Sequence, residues 1–282
     1  MSERDFDQLV IERLAGLPGP EGKTYDVTIT PDTNEPAFVV FGTIRLSSHF
    51  LRYLWWASAL FLLRYRASFD SMKAEAESDT RKPLTEYDPR LREAYHNFAS
   101  CRASALDREV IPDVVEVALS ASEAKQADGL FLRSVAWVIY HETAHIELGH
   151  AQSTIENEHE ADRYATERIA SWPDEADGGL SSRFGQMVAM FAMMSLEQSG
   201  TQAFSETTHP PVYRRALSRL EQFGLEENAD EYYFSTLMLR GELLEIGVDL
   251  SNEPKADSVL GSLTYHIRKL EAHIAQNQTS AT

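Results

Sequence analysis

The stretch Phe131–Gly149, FLRSVAWVIYHETAHIELG, limits what this chain can fold into more than any other. Its opening turns carry Phe131, Val135, Val138 and Ile139, a pattern that predicts a buried helix rather than a solvated one. The same helix then carries His141, Glu142 and His145. Burying such groups costs free energy unless they have a metal or partners. Residues four apart share a helix face, so His141 and His145 point the same way. Gly149 follows the last periodic residue and predicts a C′ position that ends the helix.

Composition narrows the kind of partner. One cysteine, Cys101, stands among 282 residues, which excludes an internal disulfide framework and any thiolate metal site. Metal or nucleophile chemistry must therefore come from His, Asp, Glu, Ser or Thr. The chain has 44 acidic against 26 basic side chains, a net charge of −18. That balance argues against a nucleic-acid partner, because phosphate binding needs clustered Lys and Arg. The apolar runs Tyr53–Leu63 and Met187–Leu196 are shorter than the about 20 residues a membrane span takes, and both read as buried core helices. The start, MSERDFDQLVIERL, is acidic where a signal peptide is basic. These features predict a cytoplasmic chain without a membrane span.

The organisation reads as one domain over residues 1–282, predominantly α-helical with a small N-terminal β element, an α+β class. Residues 1–90 form an N-terminal β and helical part, 91–223 a catalytic core, and 224–282 the C-terminal helices. Residues 3–15 predict a short amphipathic helix, and YDVTIT and AFVVFGTIRL, separated by the turn signal PDTNEP, predict a hairpin or small sheet. Ser47 or Ser48 caps a helix through about Arg66, and 70–90 reads as an exposed loop. Helices are expected at 90–105, 112–127 with Gly129 breaking it, 131–148, 154–171, 181–198, 211–223, 229–246 and 256–275.

His141-Glu142-Thr143-Ala144-His145 is an HExxH motif. Two imidazoles on one face can bind one metal, and a carboxylate beside them can take a proton from water that zinc has acidified to a pKa of about 7. A third ligand is needed close by. Ser153 and Glu156 have capping-box spacing and start the next helix, so the two helices form an antiparallel hairpin. Equal offsets about its reversal bring Glu158 opposite His145, which makes Glu158 the third ligand. Asp162 lies on the same face, four residues on, and is placed to accept the outer N–H of a ligand histidine, His141. His150, Glu156 and Glu160 compete with Glu158 for the ligand role. His150 follows His145 by five residues rather than the six of the HExxHxxGxxH pattern, and Gly149 is misplaced for it, which favours a role in the turn or behind a ligand for His150. The cluster Met187, Met190, Met193 and Met194 reads as core packing beneath the metal helix.

These residues resemble known families. HExxH followed by Glu158-x-x-Ala161-Asp162 is similar to the gluzincin zinc metallopeptidases of family M48, as is the downstream Thr208-His209-Pro210 with Arg215. That resemblance implies Zn²⁺ as cofactor and His209 near the active site, where it donates a hydrogen bond to a developing oxyanion. It also implies that Arg215 anchors its segment to an acidic residue. The short gap from His145 to Glu158 and the aromatic segment SSHFLRYLWWASAL look more like the Lit-type phage-exclusion peptidases, family U49. The reading implied is a soluble zinc endopeptidase acting on a protein or peptide substrate, with Glu142 as general base. A host translation factor cleaved on phage infection is the biology that the Lit-type resemblance implies. The alternative is a metal-binding regulator on the same scaffold without turnover.

Overall fold

The computed structural model of the chain describes residues 26–30, 37–40, 43–78, 82–107, 109–110, 112–150, 154–170, 182–199 and 210–280. The expected helix at 3–15, the PDTNEP turn, Ser153 and the Thr208-His209 pair lie outside the described residues. Three strands come first: β1 (Asp26–Thr30), β2 (Ala37–Val40) and β3 (Thr43–Ser47). Nine helices follow among the described residues. They are α1 (Ser48–Ser78), α2 (Leu84–Tyr87), α3 (Leu91–Leu106), α4 (Ala121–Glu147) and α5 (Ile155–Ala170). Then come α6 (Ser182–Ser199), α7 (Val212–Gln222), α8 (Asp230–Glu245) and α9 (Val259–Ser280). No helix of the described residues is long and apolar enough to cross a membrane.

The chain is predominantly helical, as expected, but the sheet is wired differently from a simple hairpin across PDTNEP. AFVVFGTIRL is two strands, not one. β2 pairs antiparallel with β3, with Val39 opposite Ile44, and only two residues separate them, the length of a tight hairpin. β1 pairs with β3 in parallel, Val27 opposite Ile44, so β3 is the central strand. A parallel neighbour needs a long connection, and the route out through β2 and back supplies it.

α4 is the axis of the fold. α1, α5 and α6 pack along it, and β2 and β3 close one side. Its start corrects two expectations. Residues 112–120 form no regular structure rather than a helix. Val114, Val115 and Val117 are β-branched, and buried Asn97 grips Val115 as a paired strand would, donating to its carbonyl at 2.8 Å and accepting from its amide at 2.7 Å. The helix begins instead behind Ser120, whose hydroxyl accepts from Glu123 N while the Glu123 carboxylate accepts from Ser120 N. Gly129 does not break the helix. It lies buried inside it, at the about 1 kcal/mol a helical glycine costs relative to alanine.

Polar sequence also misled at 70–90. α1 runs on to Ser78, because Ala, Met, Lys and Glu are good helix formers even where the sequence is polar. The apolar half of α1 buries Phe50, Leu51, Tyr53 and Leu54. The Met cluster packs as expected: Met187, Met190 and Met194 are fully buried in α6 against α4. The two helices approach closely where Ser134 Oγ donates to Gly185 O at 2.6 Å.

Candidate metal centre

Successive pairs show how α4 and α5 align. Trp137 meets Thr166, His141 meets Asp162, and His145 meets Glu158. Each residue on one helix falls by four as its partner rises by four, the register of two antiparallel helices. α4 ends as Gly149 predicts. Its φ is 69°, and His150 N donates to His145 O while Gly149 N donates to Ile146 O, at 3.0 and 3.3 Å. This is a Schellman termination. α5 is capped by Thr154, whose Oγ1 accepts from Asn157 N at 3.2 Å, one residue later than the expected Ser153.

The register brings three side chains together. His141 Nε2 and His145 Nε2 are 3.3 Å apart. Glu158 Oε2 lies 3.4 Å from the first, and Oε1 lies 3.7 Å from the second. A cation in a tetrahedral site with bonds of about 2.0–2.1 Å has ligand atoms about 3.3–3.4 Å apart, close to all three separations. His141 and Glu158 are buried and His145 half-buried, so the set could hold a metal ion. Glu142, next along α4, is half-buried.

Behind the triangle stands a buried scaffold. Asp162 Oδ1 is 3.0 Å from His141 Nδ1. Arg215 of α7 grips Asp162 with two bonds, Nε to Oδ2 at 2.8 Å and Nη2 to Oδ1 at 2.6 Å, and its Nη1 lies 3.6 Å from Glu158. Arg215 thus docks the α7 segment onto an acidic residue, Asp162. Burial alone would raise Asp162, but the charge and bonds of Arg215 outweigh it and hold the carboxyl well below the usual range. Burial likewise depresses both imidazoles. For His141 the carboxylates of Asp162 and Glu158 prevail and lift it to about 9. For His145 burial and the neighbouring His141 push it to about 4.

Neither His150 nor Glu160 joins the three donors. His150 turns its Nδ1 toward His145 Nδ1, the ring edge opposite Nε2, and Glu160 bonds His150. Sequence reasoning also missed the floor of the site. Trp137 stacks beneath His141 at 5.5 Å and 27°, and Gln186 Nε2 donates to Thr166 Oγ1 at 2.9 Å in the layer below. Trp137 was findable, since it precedes His141 by four residues and so shares its face. Gln186 carries no such signal, because it arrives from α6.

Fold and site define an α-helical protein with a His–His–Glu set able to hold a metal ion. The family model of peptidase U49 matches residues 44–237, and the chain belongs to that family. It is 31% identical over 166 residues to the cell death peptidase of Escherichia coli (strain K12), a match covering 56% of this chain and 55% of the relative. The chain thus spans about half the length of the curated relative it matches. No solved structure matches significantly.

Proposed function

We propose that this chain is a zinc-dependent endopeptidase. The observation that carries the reading is the triangle of His141 Nε2, His145 Nε2 and the Glu158 carboxylate, with edges of 3.3, 3.4 and 3.7 Å, set beside Glu142 in a member of a peptidase family. An all-nitrogen-and-carboxylate set with an open fourth position is the usual donor set of catalytic zinc. Zinc held there supplies a Lewis acid that acidifies water and polarises the scissile carbonyl.

The chain's own residues do the rest. Glu142 takes the proton of the attacking water and hands it to the leaving amine. Asp162, braced by Arg215, stands 3.0 Å from His141 Nδ1 and so favours Nε2 turned toward His145 and Glu158. His209, six residues before Arg215, donates to the developing oxyanion. The substrate is a protein inside the bacterial cell. The printed name of the relative, cell death peptidase, supports cleavage that ends in the death of the cell, and the Lit-type resemblance of the sequence is what suggests phage infection as its occasion.

The test compares wild type with Glu142→Gln. Elemental analysis should find about one zinc per chain in both. Mapping of new protein N-termini in infected cells should find cleavage products only with wild type, reflecting a fall in rate of about 10²–10⁴-fold. Retained proteolysis in Glu142→Gln overturns the mechanism, and zinc-free wild type overturns the metal.

A further inference from the structure

His141 turns its outer nitrogen directly to a carboxylate, that of Asp162. His145 does not. The atom facing its outer nitrogen is another imidazole: His150 Nδ1 lies 3.0 Å from His145 Nδ1, the rings 5.0 Å apart and inclined at 68°. On its far edge His150 Nε2 lies 3.2 Å from Glu160 Oε2. The His150 side chain is only 6% exposed, whereas that of Glu160 is 49% exposed.

The helix end holds His150 in place. Its amide closes the Schellman termination onto the carbonyl of His145, and Gly149 makes the turn with a φ of 69°, a conformation glycine adopts without strain. Backbone and side chain of His150 therefore both engage the same residue.

Proton bookkeeping then decides the tautomers. A neutral imidazole that gives its Nε2 lone pair to a cation carries its proton on Nδ1. At His145 that N–H points at His150 Nδ1, which can accept only as a bare nitrogen. A neutral His150 must then carry its own proton on Nε2, where the Glu160 carboxylate accepts it. All three contacts are satisfied by one arrangement.

We infer that His150 is a positioning residue for His145, held as its Nε2–H tautomer by Glu160 and accepting the His145 Nδ1–H, so that His145 Nε2 is presented to the cation. The inference rests on the metal reading of His141, His145 and Glu158. It makes the two ligand histidines unequal: one is braced by a buried ion pair, the other through an imidazole to a carboxylate at the surface.

The experiment measures zinc affinity of the full chain by chelator competition in wild type, His150→Ala and His150→Asn, with long-range ¹⁵N–¹H spectra of ¹⁵N-histidine-labelled, zinc-loaded protein. His150→Ala should weaken zinc about 10- to 100-fold, the usual cost of losing a partner of a ligand histidine. His150→Asn, whose Oδ1 can accept where Nδ1 did, should recover most of that loss. The resonances that vanish in His150→Ala should show a proton on Nε2 and none on Nδ1. Zinc affinity in His150→Ala within twofold of wild type, or a His150 proton on Nδ1, overturns the relay alone. Wild type that binds no zinc overturns the metal reading and the relay with it.

Discussion

Arg215→Met tests how much the scaffold behind the site depends on one cation. Methionine keeps most of the aliphatic volume and removes the guanidinium. Arg215 and Asp162 are both buried and joined by bonds of 2.8 and 2.6 Å, and Arg215 also stands 3.6 Å from Glu158. The variant strips the guanidinium from two buried carboxylates, those of Asp162 and Glu158. Breaking a buried pair by removing one partner costs about 3–5 kcal/mol. At about 2 °C per kcal/mol for a chain of this size, melting should fall by about 6–10 °C. The pair as a unit is worth less, because desolvation consumes much of the attraction. The double variant Asp162→Asn/Arg215→Met should therefore lose less than the two singles summed, by about 1–3 kcal/mol. Urea titrations with chelator present read folding without metal linkage. Arg215→Met within about 1 kcal/mol of wild type, or an additive cycle, refutes the reasoning.

Other consequences follow from the packing. A Cβ at Gly185 would sit 2.4 Å from Arg133 Cβ and 3.3 Å from Leu130 O on α4, so Gly185→Ala should cost about 1–3 kcal/mol, and an unchanged urea midpoint would contradict it. Glu242 of α8 is buried, and burial with neighbouring Glu245 lifts it to about 7 against the pull of Arg64 and Arg102. A raised carboxyl contributes stability that is complete below its ordinary value of 4.5 and lost as pH climbs through about 7. The urea midpoint should fall between pH 5 and 8, by up to about 3 kcal/mol in stability, and Glu242→Gln should flatten that slope; an equally steep slope in the variant would assign it elsewhere.

The helices 155–170, 182–199, 212–222 and 230–245 were legible within a residue or two. Apolar periodicity and breakers such as Gly149 act within a few residues of the chain. Two kinds of misreading share a cause. At residues 112–120 the backbone of Val115 finds its hydrogen bonds on the side chain of Asn97, from α3, and not on a helical turn. The β1–β3 pairing likewise depends on which strand reaches the centre of the sheet, which alternation along either strand does not encode.

The candidate metal centre divides along the same line. Sequence by itself determined the donor types, since one cysteine leaves only His and carboxylate, and it put His141 and His145 on one face, since a helix repeats every 3.6 residues. Index arithmetic across the hairpin even placed Glu158 and Asp162 opposite them. Only the tertiary structure decided that Arg215 comes in from α7 to hold Asp162, that Trp137 and Gln186 form the floor, and that His150 backs His145 rather than joining the donors. Helical spacing is a local property of the backbone. The groups that orient a ligand come from whatever packs against it, and that is settled by burying the whole core at once.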